Sequence, residues 1–102
     1  MNGKQAMSLL GLAFKAGKIV SGEEPVLKEI RAGQAKLVLL SKDASSNTSK
    51  KMLDKCRFYH VPVRWIETRE MLGKAIGKEA RVAVAVSDRG FAEKLAELLD
   101  ES

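Results

Sequence analysis

Apolar residues recur at helical spacing in QAMSLLGLAFKA, residues 5–16, where Met7, Leu10 and Phe14 form one stripe with Leu9 and Ala13 beside it. Gly17 follows as a helix-stopping glycine, so the pattern predicts a first helix over 5–16. Residues 18–20 read as a short strand. Val26, Leu27, Ile30 and Ala32 before Gly33 predict a second helix. KLVLL, 36–40, is a short apolar run bounded by Gly33 and Lys42-Asp43, and reads as a central strand covered on both faces. A Ser/Asn/Thr-rich loop leads into a third helix from Thr48 to Tyr59, with Met52, Leu53, Cys56 and Tyr59 inward. VPVRWIE, 61–67, supplies another strand, and Thr68 caps a fourth helix over Met71, Leu72, Ala75 and Ile76 that Gly77 ends. RVAVAV, 81–86, is a last strand, followed by a helix over 91–99 with Leu95, Leu98 and Leu99 on its core face. Helices alternating with short strands predict an α/β protein: a three-layer α/β/α sandwich around a small mixed sheet of about four strands, one domain over residues 1–102.

The joint before the second helix, GKIVSGEEPVLK at 17–28, has lysines at both ends and Glu23, Glu24 and Pro25 at its centre. Proline has no N–H and fits only the first turn of a helix. With Gly22 as N-cap, Pro25 is the third helical residue and no hydrogen bond is lost; with Ser21 as cap, Pro25 would lack the donor of the first helical bond. Gly22 is therefore the predicted cap. Both glutamates then sit at the positive end of the helix dipole, each favoured by about 0.3–1 kcal/mol. Glu24 has two readings: an i,i+4 pair with Lys28, worth roughly 0.2–0.5 kcal/mol, or an acceptor for guanine N1–H and N2–H₂ groups that no Watson–Crick partner occupies.

Charge turns this joint toward nucleic acid. The chain carries +5 with pI near 9.5. The last segment, with Asp88, Glu93, Glu97, Asp100 and Glu101 against Arg89 and Lys94, is −3, which leaves +8 on residues 1–87. A basic body of this kind is either a solubility device or an electrostatic footprint for RNA. No run of eighteen apolar residues occurs, and MNGKQAMSLL has no signal-peptide character, so a soluble cytoplasmic protein without a membrane partner is expected. One cysteine, Cys56, excludes an internal disulfide.

Catalytic and metal chemistry find little material. The single histidine, His60, lies four residues after Cys56, and two ligands do not make a metal site. GKAIGKEA is not a phosphate loop, because G-x-x-x-x-G-K-[ST] is absent and Gly73 and Gly77 flank the fourth helix. The expectation is a non-enzyme with no cofactor, no metal and no small-molecule substrate. Five aromatic residues with no run of the RNA-recognition-motif kind leave helices and loops as the means of RNA binding.

Three stretches, LGLAFKAGKIVSG, KEIRAGQAKLVLLSKDASSN and LGKAIGKEARVAVAV, resemble the kink-turn-binding ribosomal protein superfamily of the archaeal type and, within it, the small bacterial YlxQ proteins. The likeness covers Leu9 to about Ala92. It implies the same α/β/α sandwich, with the start of the second helix reading guanine edges of sheared G·A pairs in a kinked RNA. The family motif Gly-Thr-Asn-Glu-x-x-Lys aligns on Gly22 and Lys28, which match, and sets Glu23, Glu24 and Pro25 at the Thr, Asn and Glu positions. Ala80, Arg81 and Val82 occupy the place of the loop that covers a flipped-out nucleotide in relatives.

The resulting expectation is a monomeric RNA-binding protein for structured RNA, a kink-turn-like internal loop, with ribosomal RNA among the candidates. Gly22, Glu24, Ala80, Arg81 and Val82 would face the loop, and Lys15, Lys18, Lys28 and Lys42 the phosphate backbone, with Lys28 also in reach of a guanine acceptor. The alternative is a protein-interaction adaptor of the same fold that binds no RNA, docking through its acidic last helix.

Overall fold

The computed structural model describes residues 2–100, so Glu101, counted in the acidic segment, lies outside them. The elements run α1 (Asn2–Lys15), β1 (Ile19–Ser21), α2 (Glu23–Arg31), β2 (Leu37–Ser41), α3 (Ser46–Phe58), β3 (Val63–Ile66), α4 (Arg69–Ala75), β4 (Ala83–Val86) and α5 (Arg89–Asp100). The four strands form one mixed sheet in the order β1-β4-β2-β3. β4 is antiparallel to both β1 and β2, and β2 is parallel to β3. Every residue of β2 and β4 is buried, as a strand covered on both faces requires.

Alternation along these two strands builds two cores. Leu37 and Leu39 of β2 and Val84 and Val86 of β4 pack with Ala6, Leu10, Leu72 and Leu95 from α1, α4 and α5. Val38, Leu40, Ala83 and Ala85 face the other way, onto Val26, Leu27 and Ile30 of α2 and Met52 and Cys56 of α3. The small Ala83 and Ala85 let α2 lie close over the sheet. Each fully buried Leu or Ile contributes about 1.5–3 kcal/mol of transfer free energy. This is the α/β/α sandwich that the sequence predicts.

The boundaries shift where local chemistry intervenes. α3 begins before Thr48 because the Ser45 hydroxyl accepts the Thr48 N–H at 3.2 Å and caps it. β3 begins only at Val63, since the Val61 N–H closes α3 on Cys56 O at 2.8 Å and Pro62 has no N–H to give. β4 excludes Arg81, whose N–H donates to Arg69 O at 3.0 Å. Gly73 lies inside α4 rather than beside it.

The core is aliphatic. Phe14, Phe58, Tyr59, Trp65 and Met71 are all exposed, against the inward placement expected of Phe14, Tyr59 and Met71. The buried stripe of α1 is Ala6, Leu10 and Ala13, which turns Phe14 outward, where the Lys78 ammonium stands 5.7 Å from its ring centre. Tyr59 caps the end of α3, where the chain leaves the helix, and Met71 lines an open groove with Met7 between α4 and α1.

Candidate nucleic-acid interface

Gly22 caps α2 as predicted, with φ 100° and ψ 154°, a conformation essentially reserved to glycine. The Val26 N–H donates to Gly22 O at 3.1 Å, so the first helical bond falls one residue past Pro25 and the proline loses nothing. The Gly22 N–H in turn donates to Ala83 O at 3.0 Å, which sets the start of α2 beside the segment leading into β4.

An open recess of about 380 Å³ lies at this junction, lined by Ser21, Gly22, Pro25, Arg69 and Ala80 to Val82. Residues about sixty positions apart in the chain meet there because β1 pairs with β4. The Arg81 guanidinium is held along the wall, donating from Nη1 to its neighbour Ala80 O at 2.7 Å and from Nε to Ser21 Oγ at 3.3 Å. Gly73 fixes the loop from behind: a β-carbon there would lie 2.7 Å from Ala80 N and Cα. Only a bare backbone lets α4 touch the loop so closely.

The two glutamates part company in the folded chain. Glu23 turns to α3, accepting from Thr48 Oγ1 at 3.0 Å and pairing with Lys51 Nζ at 2.5 Å. The Lys51 ammonium and then the Thr48 hydroxyl hold its carboxyl below the ordinary carboxylate range, and Glu23 raises Lys51 in return. Glu24 is exposed and makes no hydrogen bond or ion pair among the described residues, although its charge also favours protonated Lys51. The i,i+4 pair with Lys28 does not form, and Lys28 extends from the exposed face of α2.

Arg69, which sequence reasoning missed, borders the recess, and its only local signal was a place next to the Thr68 cap. Asp43 anchors it: the Arg69 N–H donates to the carboxylate at 3.1 Å, its Nη2 donates to Asp43 O at 2.6 Å, and Nε stands 3.5 Å from Oδ1. Asp43 is held below the usual carboxylate range, first by the Ser41 hydroxyl and then by the Arg69 backbone and guanidinium. That hydroxyl is fully buried and outside hydrogen-bond geometry with any partner, so its effect on Asp43 is one of proximity. Lys42 stands at the same end of the sheet, in an exposed ion pair with Glu67 at 2.5 Å. Such an exposed pair contributes little to stability in water.

Lys15 and Lys18 do not reach the recess. Lys18 O accepts the Ser87 N–H at 2.9 Å, so both lysines lie at the opposite end of the sheet. Cys56 is buried in the α2–α3 core, which pushes its thiol up to about 11.

The profile of the ribosomal protein L7Ae/L30e/S12e/Gadd45 family matches residues 4–96. The chain belongs to that family. It is 61% identical over 100 residues to the RNA-binding protein YlxQ of Bacillus subtilis (strain 168), an alignment covering 98% of this chain and all of the relative. It is 30% identical over 93 residues to the large ribosomal subunit protein eL8 of Thermoplasma volcanium, covering 90% of this chain and 77% of that one. The Giardia lamblia 15.5kD RNA binding protein shares the fold, with a TM-score of 0.80 over 93% of this chain and 82% of its own at 20% identity. The superfamily suggested by the sequence motifs is thus the right one.

Proposed function

We propose that the chain is a non-enzymatic RNA-binding protein that takes a kink-turn-like internal loop at the recess between α2 and the loop before β4. The observation that carries this reading is the meeting of Gly22 and Ala80 to Val82 around one open recess, with the Glu24 carboxylate unengaged beside it. The family, and its relatives that are an RNA-binding protein and a large-subunit ribosomal protein, support it.

The division of labour follows from chemistry. Glu24 accepts from the N1–H and N2–H₂ donors of a guanine in a sheared G·A pair, a contact that a phosphate could not make with a carboxylate. Lys28 supplies a donor to a guanine acceptor or a phosphate. Ala80 and Val82 offer apolar surface to an extruded base, and Arg81, held flat along the wall, presents a guanidinium edge. Glu23 and Asp43 touch no RNA; they hold α2 and α4 in place.

Binding of Glu24→Gln to two RNAs tests the reading, one with intact G·A pairs and one with those pairs replaced by Watson–Crick pairs. Weaker binding to the first RNA alone is expected, by about 1–3 kcal/mol in titration calorimetry. Equal or tighter binding of Glu24→Gln to the G·A-containing RNA would sink base reading by this residue. A wild-type chain that binds neither RNA would instead favour the adaptor alternative.

A further inference from the structure

At the end of the sheet opposite the recess, β1, β2 and β3 begin and β4 ends. Backbone bonds set the order across it: the Ser87 N–H donates to Lys18 O at 2.9 Å, the Lys36 N–H to Val86 O at 2.7 Å and the Val38 N–H to Pro62 O at 3.0 Å. Lys18, Lys36 and the segment before Pro62 therefore form a row across three strand spacings, roughly 14 Å. Arg89 opens α5 just after Ser87 and shares a second recess, of about 310 Å³, with Lys36, Pro62 and Arg64. Lys18, Lys36 and Arg89 are exposed and make no ion pair among the described residues. Two acids stand among them: Asp88, which accepts the Phe91 N–H at 2.9 Å, and Glu93 on the recess wall. Arg64 is committed to Asp100.

The neighbouring end of α3 has an odd construction. Four helices close with the same pair of bonds, the last two N–H groups reaching back to Phe14 and Ala13, Ile30 and Glu29, Arg57 and Cys56, or Lys74 and Gly73. Three of them place glycine at the left-handed position, Gly17, Gly33 and Gly77, and α3 places His60 there at φ 60°. A side chain is thus kept where glycine is favoured. Just before it, Phe58 is 74% exposed and Tyr59 37%, with their rings edge to face and centroids 5.0 Å apart. Exposed rings and uncommitted cations at the same end of the sheet are the two components of a single-stranded nucleic-acid surface, stacking for bases and charge for phosphates.

We propose that this end of the molecule is a second RNA-binding surface, for an unpaired single-stranded segment, with Lys18, Lys36 and Arg89 on the phosphates and Phe58 and Tyr59 stacking on bases. The chain then joins two stretches of RNA through its two ends. Lys15, one turn before Lys18, adds charge to the same side.

The proposal is independent of the kink-turn reading, because its probe is scored with and without a kink-turn duplex. Fluorescence anisotropy of a labelled dodecauridylate is measured on the full chain at several salt concentrations. Dodecauridylate is expected to bind the free chain and to remain bound when the kink-turn duplex is added in excess. The triple variant Lys18→Ala/Lys36→Ala/Arg89→Ala should weaken dodecauridylate binding at least tenfold and lower the log–log salt slope by about 2, at about 0.7 per phosphate contact. Phe58→Ala should weaken it by about fivefold or more with the slope unchanged. All four residues are exposed, and unchanged thermal melting confirms that the variants fold. Displacement of dodecauridylate by the duplex, wild-type affinity in the triple variant, or wild-type affinity in Phe58→Ala each overturns the proposal. So does failure of the wild-type chain to bind dodecauridylate, and binding of an acidic decaglutamate peptide in its place would then mark the surface as a protein interface.

Discussion

The two ends of the sheet hold their charges in opposite ways. Around Gly22, nearly every charged group is committed within the protein: Arg69 to Asp43, Lys42 to Glu67, Lys51 to Glu23, and Arg81 to Ser21 and Ala80. Among the described residues, Glu24, Lys28 and, next to Ala80, Glu79 make no ion pair there. Around Lys18 and Lys36, Asp100 holds Arg64, but Lys18, Lys36 and Arg89 make no ion pair among the described residues, and the rings of Phe58 and Tyr59 lie open. A preorganised site spends little ordering entropy on binding and discriminates by geometry, whereas a row of uncommitted cations and rings accepts any strand. Under the two proposals, the same fold presents one end for selective and one for tolerant binding of RNA.

Gly73→Ala should separate the two ends most strongly. Its new methyl meets the Ala80 backbone at 2.7 Å, so the loop must move. Overpacking of this kind costs about 1–3 kcal/mol. Alanine returns about 1 kcal/mol of helix propensity, leaving a net loss of up to about 2 kcal/mol in urea unfolding. Binding at the Gly22 recess should fall while dodecauridylate binding holds; equal loss at both ends would show that the ends are not independent.

His60→Gly acts at the other end and with the opposite sign. Relief of the left-handed backbone should raise stability, by about 1 kcal/mol, with the unfolded-state entropy of glycine subtracting part of it. Stability at or below wild type would mean that the His60 side chain makes compensating contacts.

The smallest effect distinguishes the two glutamates. The folded-state pKa of Glu23 is lowered from the ordinary 4.5, so its pair with Lys51 adds stability above that pH and loses it as pH falls through the lower, folded value. Lys51 is raised from 10.5, so the same pair persists below that pH and is lost as pH rises through the higher, folded value. Urea midpoints measured from pH 3 to 6 should therefore show a shallower acid limb for Glu23→Gln than for wild type. Glu24→Gln, which removes no ion pair seen among the described residues, should lower the urea midpoint at pH 6 less than Glu23→Gln does; an equal loss would remove the distinction between an anchored and an available carboxylate.

Much of this was legible in the chain because it is governed by near neighbours. A glycine that ends a helix, a proline that forbids Ser21 as the cap, and an apolar run too short for a helix each act over a few residues of backbone, so the layers and the Gly22 cap could be read directly. The exposed Phe14 and Tyr59 could not be, since the periodicity of one helix does not say which flank of an apolar stripe its neighbours cover. Arg69 was invisible for a related reason: its place depends on Asp43, twenty-six residues earlier.

By itself, the sequence determined the elements, their stops, the buried strands β2 and β4 and the excess of positive charge, because backbone hydrogen bonding and apolar period are local properties. Tertiary structure alone decided the strand order, and with it which residues share an end of the sheet. Pairing of β1 with β4 carried Ala80 to Val82 to Gly22, and the same register carried Lys18 away to Ser87. Packing of α2 against α3 decided between Glu23 and Glu24, two adjacent and chemically identical residues, by giving only one of them a threonine and a lysine to bind. Helical geometry turns neighbouring side chains about 100° apart, and only the element on one side of that angle can supply a partner.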